Sequence, residues 1–348
     1  NYQNWYPAVE FETKNTREHV GLFDLTAFSK YELRGKNSHS ELQRICTANI
    51  KNEIGKTTYT QMLNEDGGIE TDLTVVCLDK DYFRIVTSAA NRERDKFHIL
   101  KHLSKDVDFK DVTDDVACLG VFGPKSRKLM SKMSNDDFSN ENIKFGCFKI
   151  IKINNIDILV QRLSYVGEIG FELYIDMKAS KEIFNLIVEK GKEFNLSLCG
   201  VHAMDTMRME TGYLHWGHDI SPEENQYQAG LSFAASFKKD INFIGKDALV
   251  KLKENKPSKK LIMLTLKNSK PGEPLLLHDE PIYFDDKIVG RTTSGNYSFC
   301  FEKNLTFGYV KMDQFEQKDN KKVYIEVEKI KYEATIILKP LNAKNIKK

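Results

Sequence analysis

Hydrophobic and polar positions follow two rhythms along this chain. Through roughly the first 250 residues, runs that alternate with period two are interrupted by runs with helical spacing. Ser29-Lys30-Tyr31-Glu32-Leu33-Arg34 alternates as a strand, and Ser38 to Cys46 reads as a capped amphipathic helix with Leu42 and Ile45 on one face. A strand over Asp81 to Thr87 precedes a helix from about Asn91 to Leu103. Cys118 to Phe122 runs into Gly123-Pro124 and then a helix carrying Arg127, Leu129 and Met130, with Pro near the start, where helices accept it. Lys251 to Lys260 is polar, basic and contains Pro257, so it reads as an exposed linker. Beyond it the spacing changes: Leu261 to Leu266, Pro281 to Phe284, Lys287 to Val289, Thr306 to Val310, Lys322 to Val327 and Tyr332 to Ile337 are short strands separated by turns, the pattern of an all-β barrel or sandwich. Leu341 to Lys348 is expected to fray as a basic tail.

Composition narrows the class. A chain of 348 residues predicts two or three domains, and 41% hydrophobic with 29% charged residues excludes a disordered polymer. The apolar runs, such as Leu261 to Leu264, fall far short of the roughly 20 residues a membrane-spanning helix needs. A net charge of +2 from 52 basic and 50 acidic residues gives no electrostatic ground for a nucleic-acid partner. The six cysteines, at 46, 77, 118, 147, 199 and 300, never form a Cys-x-x-Cys pair. Several lie inside apolar runs as small core residues, which suits a reducing compartment: the cytoplasm, or the mitochondrial matrix of a eukaryote. The chain opens Asn-Tyr-Gln-Asn-Trp without a start Met or a signal-peptide apolar run, and a processed protein or a piece of a longer one is expected.

Five segments invite chemistry. In Gly67-Gly68-Ile69-Glu70-Thr71-Asp72-Leu73-Thr74-Val75-Val76-Cys77, a turn opens a strand whose alternation sets Leu73, Val75 and Cys77 on one face and Asp72, Thr74 and Val76 on the other. A carboxylate there is either a partly desolvated proton acceptor or, as pattern alone favours, a turn-end Asp bonded to nearby backbone. In Ser164 to Ile175, two glycines mark a loop before a strand with Phe171, Leu173 and Ile175 inward and Glu172 opposite. Glu172 beside Tyr165 and Tyr174 could hold a flat heterocycle bearing N–H donors, or be a solvated strand Glu. Gly212 to Pro222 holds His215, His218 and Asp219, but the spacing matches no recognised metal frame, so an aromatic-rich pocket loop is expected and no metal. Gly120 to Ser126 lacks the spacing of a phosphate loop, and no dinucleotide fingerprint occurs in the chain. Arg291 to Tyr297 reads as a polar turn of the β region, open between a plain hairpin and a ligand contact.

Taken in order, Tyr59-Thr60-Gln61-Met62-Leu63-Asn64-Glu65-Asp66-Gly67-Gly68-Ile69, Tyr165-Val166-Gly167-Glu168-Ile169-Gly170-Phe171-Glu172, Phe243-Ile244-Gly245-Lys246 and Thr293-Ser294-Gly295 resemble the tetrahydrofolate-dependent aminomethyltransferases, the T-protein family of the glycine cleavage system. The resemblance runs from about Trp5 to Pro340. Asn4-Trp5, Gly21 to Leu25, Ile69 to Leu73 and Gly212 to Gly217 are similar, more finely, to the folate-binding C-terminal half of dimethylglycine and sarcosine dehydrogenases. Glycine-cleavage T-proteins typically carry Asp-Asp where this chain has Thr71-Asp72, and a folate-binding Arg where it has Met204.

The resemblance implies an α+β fold: a three-domain cloverleaf of the aminomethyltransferase type around a central folate pocket, with a C-terminal all-β barrel. Residues 1–250 would form the folate-binding region as two interleaved α/β subdomains, roughly 1–50 with 138–250 and 51–137. Residues 260–340 would form the barrel and 341–348 the tail. It makes Asp72 the residue beside N10 of tetrahydrofolate, and Tyr165 and Glu172 the pterin holders, with Glu168, Trp216 and Arg291 as further pocket candidates. The expected reaction is methylene transfer to tetrahydrofolate from a small methylated amine, as its iminium or as formaldehyde, giving 5,10-methylenetetrahydrofolate. FAD would belong only to a partner or a preceding domain. The alternatives are a glycine-cleavage aminomethyltransferase and a non-catalytic folate-binding module.

Overall fold

The computed structural model describes residues 2–319 and 321–342. Helix α1 (Tyr6–Glu18) buries Tyr6, Val9, Thr13 and Thr16, a stripe at helical spacing, and leads into β1 (Val20–Asp24) and β2 (Ser29–Arg34). After α2 (Ser38–Ile45) come β3 (Thr57–Leu63), β4 (Ile69–Asp79), β5 (Tyr82–Thr87), α3 (Arg92–His102) and β6 (Asp108–Asp111). Strand β7 (Val116–Phe122) leads to α4 (Ser126–Met133), then to the meander β8 (Phe148–Ile153), β9 (Ile156–Gln161) and β10 (Gly170–Asp176). Next are α5 (Ser180–Gly191), β11 (Leu196–Cys199), α6 (Val201–Thr211) and α7 (Lys246–Glu254). The remainder is β12 (Lys259–Leu266), β13 (Pro281–Phe284), β14 (Lys287–Ser298), β15 (Lys303–Lys311), α8 (Met312–Glu316), β16 (Val323–Val327) and β17 (Ile330–Ile337).

These strands make three sheets: β3-β4-β5-β2-β6, β11-β1-β7-β10-β9-β8, and a closed barrel β12-β15-β14-β13-β16-β17. Of the barrel or sandwich that the spacing allowed, the chain forms the barrel. The alternation of each strand fixes the layering. In the five-stranded sheet, Tyr31, Leu33, Leu73, Val75, Phe83 and Ile85 pack under Leu42 and Ile45 of α2 and Ile99 of α3. In the six-stranded sheet, Val121, Phe171, Leu173, Ile158 and Val160 pack under Leu129 and Met130 of α4 and Ile183 and Ile187 of α5. The other two faces turn toward each other: Phe28 and Val86 of one side meet Cys118, Leu159 and Tyr174 of the other. Gln161 Nε2 donates across this space to Thr57 Oγ1 at 3.1 Å.

Several boundaries differ from the sequence reading. Strand β2, within the 1–50 span, pairs with β5 and β6, and β7, within 51–137, pairs with β1 and β10. Backbone pairing decides membership of a sheet, and hydropathy along one chain does not encode it. The Lys251–Lys260 linker shrinks to residues 255–258, because α7 continues to Glu254 with Leu249 and Leu252 packed on Leu63 and Ile69 while its lysines cover the outer face. The polar turn at 291–297 is instead the second half of β14, bulged between Thr292 and Ser294. Asn342, placed in the tail, is buried, with its N–H donating to Glu210 O and its Nδ2 to Gly167 O. The rest of that tail, 343–348, lies outside the described residues.

Buried charge fastens the barrel to the sheets. Arg208 on α6 is 1% exposed. Its Nε donates to Asp205 Oδ1 (2.8 Å), Nη1 to Tyr213 O (3.0 Å) and Asp219 Oδ2 (2.6 Å), and Nη2 to Ser294 Oγ of β14 (2.9 Å). Asp219 Oδ1 accepts from Thr293 Oγ1 and Ser294 Oγ, and Tyr309 Oη donates to Asp219 O. Two residues on, Glu210 accepts from Arg17 of α1 and from Ser298 Oγ of β14. Removing one partner of a buried pair strands the other charge. Arg208→Met should therefore lower unfolding free energy by about 3–5 kcal/mol, measured by denaturant titration, and adding Asp219→Asn should recover part of the loss. A loss no larger than that of a surface substitution would show that the pair is not the joint.

Candidate active site

Asp72 and Glu172 project from facing sheets into the same interior space. Asp72 stands on β4 directly across from Gln61 of β3, and Gln61 Nε2 donates to Asp72 Oδ1 at 2.8 Å. The Tyr59 phenol, on the same face of β3, is also within hydrogen-bonding reach. Burial pushes Asp72 from its ordinary 3.8 up to about 6; the bonds from Gln61 and Tyr59 pull it down, and the charge of Asp95 adds to the rise. Glu172 of β10 lies between Gly120 and Gln161 in register and accepts from Tyr174 Oη at 2.9 Å. Burial pushes it from 4.5 up to about 7, against the pull of that bond. Both carboxylates are half-buried.

Tyr165, in the loop before β10, closes one side. Its Oη donates to Leu214 O at 2.7 Å and its ring stacks on Tyr213, with centroids 5.9 Å apart and planes 12° apart. Burial raises the phenol, and the charges of Asp219, Asp205 and Asp72 add to that while Arg208 opposes them. Tyr59 is raised as well, first by burial and then by Asp72 and Tyr165, so Asp72, Tyr59 and Tyr165 sit within electrostatic reach of one another. Met204 packs on the cluster of Phe23, Cys118 and Tyr174.

The other sequence candidates have other neighbours. Glu168 is buried against Arg17 (3.2 Å) in the α1–α6 network. Trp216 donates its indole N–H to Ile69 O at 3.0 Å and carries the Arg94 guanidinium 4.4 Å over its ring, bracing the start of β4. Arg291 is exposed and pairs with Asp279 at 3.1 Å, next to His278. The rings of His215 and His218 lie 4.6 Å apart, while Asp219 is taken up by Arg208. Among the described residues no three His, Cys, Asp or Glu side chains are arranged to hold a metal ion. Surface clefts beside Arg127 and beside Glu10 contain none of the candidate residues.

Gln61 and Tyr59 escaped the sequence reading, although their period-two spacing on the strand paired with Asp72 was the available signal. Arg208 gave none, and Asp219 stood out only beside His215 and His218, because a lone sequence does not show which charges are buried. Chemically, the space offers two carboxylates whose proton affinities lie near neutrality, flanked by tyrosine rings. That suits a flat heterocycle with N–H donors and an amine that must lose a proton.

Comparison with known proteins decides the family. The GCVT N-terminal domain matches residues 1–239, and the glycine cleavage T-protein C-terminal barrel domain matches residues 259–342. The chain belongs to the glycine cleavage T-protein family. Among T-protein relatives it is 38% identical over 296 residues to the 4-methylaminobutanoate oxidase (formaldehyde-forming) of Paenarthrobacter nicotinovorans, covering 84% of this chain and 35% of that protein. To mitochondrial dimethylglycine dehydrogenase of Homo sapiens it is 32% identical, over 97% of this chain and 39% of the enzyme. The chain thus spans little more than a third of these two relatives. To the aminomethyltransferase of Thermoanaerobacter it is 33% identical, over all of this chain and 94% of that protein. The T-protein fold is that of the glycine cleavage system aminomethyltransferase T from Bartonella henselae, with a TM-score of 0.85, 22% identity, and coverage of 96% and 89%.

Raised carboxylate pKa values carry a stability consequence. With folded values near 6 and 7 against ordinary ones of 3.8 and 4.5, the folded state of this T-protein relative holds more protons through that window, so these groups cost stability as pH rises through it. Asp72→Asn and Glu172→Gln should each raise the melting temperature at pH 8, by free energies on the order of 2 kcal/mol. The gain should vanish near pH 4. Melting curves across pH test this, and a gain that is equal at both ends would refute it.

Proposed function

We propose that this chain transfers a one-carbon unit to tetrahydrofolate, giving 5,10-methylenetetrahydrofolate, as the folate-binding part of an enzyme of the dimethylglycine or sarcosine dehydrogenase type. Membership of the T-protein family and relatives of both the aminomethyltransferase and the dimethylglycine dehydrogenase kind support the transfer. The observation that carries the reading is the Asp72 carboxylate, held by Gln61 in the interior space and facing the sheet that bears Glu172.

Tetrahydrofolate supplies the amine that captures the one-carbon unit. Its N10 is an aryl amine of low basicity, so the chain's task is to take the proton as the new bond forms. Asp72, with a proton affinity near that of the surroundings at pH 6–7, accepts or positions that proton, a role typically worth about 10²–10⁴-fold in rate. Glu172, with one oxygen held by Tyr174, accepts from the N–H edge of the pterin. Tyr165 packs against or bonds the ring, and Trp216 braces the start of the strand that carries Asp72. This orientation can take about 7–11 kcal/mol from the barrier of a bimolecular step. Met204, packed where a glycine-cleavage T-protein typically carries a folate-binding Arg, favours the dehydrogenase branch over the glycine-cleavage branch. The methylated amine would then be oxidised by an FAD-containing partner or domain and arrive as its iminium or as formaldehyde.

The same residues also allow the aminomethyltransferase of glycine cleavage, favoured by the match over 94% of the Thermoanaerobacter protein. Turnover that depends on a lipoyl carrier protein would decide for it. No helix among the described residues is long and apolar enough to cross a membrane. The six free thiols suit the cytoplasm or a mitochondrial matrix.

Anaerobic calorimetry with tetrahydrofolate should give one saturable site. Glu172→Ala should weaken it at least tenfold, about 1.4 kcal/mol, and an unaltered Kd would remove Glu172 from pterin binding. Asp72→Asn should keep Kd within a few-fold yet lose most formation of methylenetetrahydrofolate from formaldehyde. The wild-type rate should rise with pH through an apparent pKa near 6, as the base ionises. Tight binding without product in the wild type would mark a folate-binding module instead.

A further inference from the structure

Asp72 is not held by Gln61 alone. Gln61 and Gln226 are both fully buried, and Gln226 Nε2 donates to Gln61 Oε1 and, at 3.1 Å, to Thr47 Oγ1. Thr47 in turn donates its hydroxyl to Ala234 O at 3.2 Å, so its oxygen is left to accept from Gln226. These polarities fix both amides. If Gln61 turned over, its carbonyl would face the Asp72 carboxylate and its NH2 group would face the NH2 group of Gln226, so both contacts would be repulsive. The chain of donation therefore runs one way, from Gln226 to the carbonyl of Gln61 and from the NH2 group of Gln61 to Asp72.

The segment that carries Gln226 is itself clamped. Glu224 O accepts from Ile69 N at the start of β4, and Leu261 N of β12 donates to Gln228 O. Gln228 Nε2 donates to Ser258 Oγ, and Glu224 is paired with Lys259. A Cβ on Gly68 would stand 2.1 Å from Pro222 O, so only glycine lets this segment lie so close to the β3–β4 turn. Gln226 thus belongs to a strap running from the barrel to the strand pair that bears the proposed base.

Resting on the function proposed above, we infer that Gln61 and Gln226 form a two-amide clamp that fixes the orientation of the Asp72 carboxylate, with Gln61 as the positioning residue and Gln226 acting through it. One oxygen of Asp72 is thereby committed to an N–H donor, and the lone pairs that neither Gln61 nor the Tyr59 phenol engages are left for the proton to be moved. The other groups bearing on Asp72 are the Tyr59 phenol from β3, the Asp95 carboxylate from α3, and Tyr165 from the loop before β10. Tyr59 stabilises the charged form as Gln61 does, and Asp95 opposes it.

The test is a carboxyl-carbon NMR titration of Asp72 in the full chain, with its resonance assigned by its loss in Asp72→Asn. Gln61→Leu removes the donor and should raise the Asp72 pKa by about 0.5–1 unit. Gln61→Glu sets a second carboxylate beside it and should raise the pKa further. Gln226→Leu, which touches nothing at Asp72, should move it in the same direction by less, and the double variant Gln61→Leu/Gln226→Leu should match Gln61→Leu alone. In turnover assays the same order should appear as a lower kcat with little change in KM. An Asp72 titration that is unmoved in Gln61→Leu, or Gln61 and Gln226 effects that simply add, would overturn the clamp. Because the titration needs no turnover, an inactive wild-type chain with the expected shifts would refute the proposed function and leave the clamp standing.

Discussion

The Arg208–Asp219 pair is what the rest of the molecule is arranged around. An arginine and an aspartate with almost no exposed surface are tolerable only if nearly every donor and lone pair is used. Here the guanidinium is shared between α6, the loop that follows it and β14 of the barrel, while the carboxylate collects two hydroxyls of β14 and the backbone N–H of His215. The loop that must bend to deliver Asp219 also carries Tyr213 and Leu214, which stack on and bond Tyr165, and Trp216, which bonds the first residue of β4. Barrel docking and the walls of the interior space are thus one set of bonds.

Against that rigid frame, the interior space is costly to keep. Two carboxylates held above their ordinary proton affinity, in a gap lined by tyrosines and apolar side chains, oppose folding at neutral pH. Separate hydrophobic layers compensate: each sheet has its own helices and its own core, so the facing surfaces are free to carry polar groups. A protein of this build can vary its facing surfaces without disturbing what holds either sheet together.

Much of this was legible in the chain. Alternation located β2, β5 and β13 to within a residue, and it set Asp72 and Glu172 on the faces opposite Leu73 and Leu173. Resemblance of ordered motifs carried the fold class, since no single segment specified it. What escaped shares one physical cause, namely that it depends on contacts between distant parts of the chain. Lysines on the outer face of α7 made a helix look like a linker, although Leu249 and Leu252 were its inner face. Arg291 to Tyr297 looked like a turn because its polar side chains would suit solvent, yet Thr293 and Ser294 meet a buried aspartate. Glu168 looked like part of the pocket because it neighbours Tyr165, but Arg17, 151 residues away, claims it. Gln61 looked like an ordinary strand residue until its partner at 226 was in view.

The way the barrel is fastened also bears on inheritance. A domain joined by a few exposed contacts can be exchanged by recombination, since either side survives alone with any neighbour. This one cannot be exchanged so simply: a foreign barrel would have to bring a serine for Arg208, another for Glu210 and a tyrosine for the backbone of Asp219, all at once. The bonds between the barrel and the two open sheets thus favour inheriting the three together. The match fits that: it takes up nearly the whole of an aminomethyltransferase and about a third of a much longer oxidase or dehydrogenase.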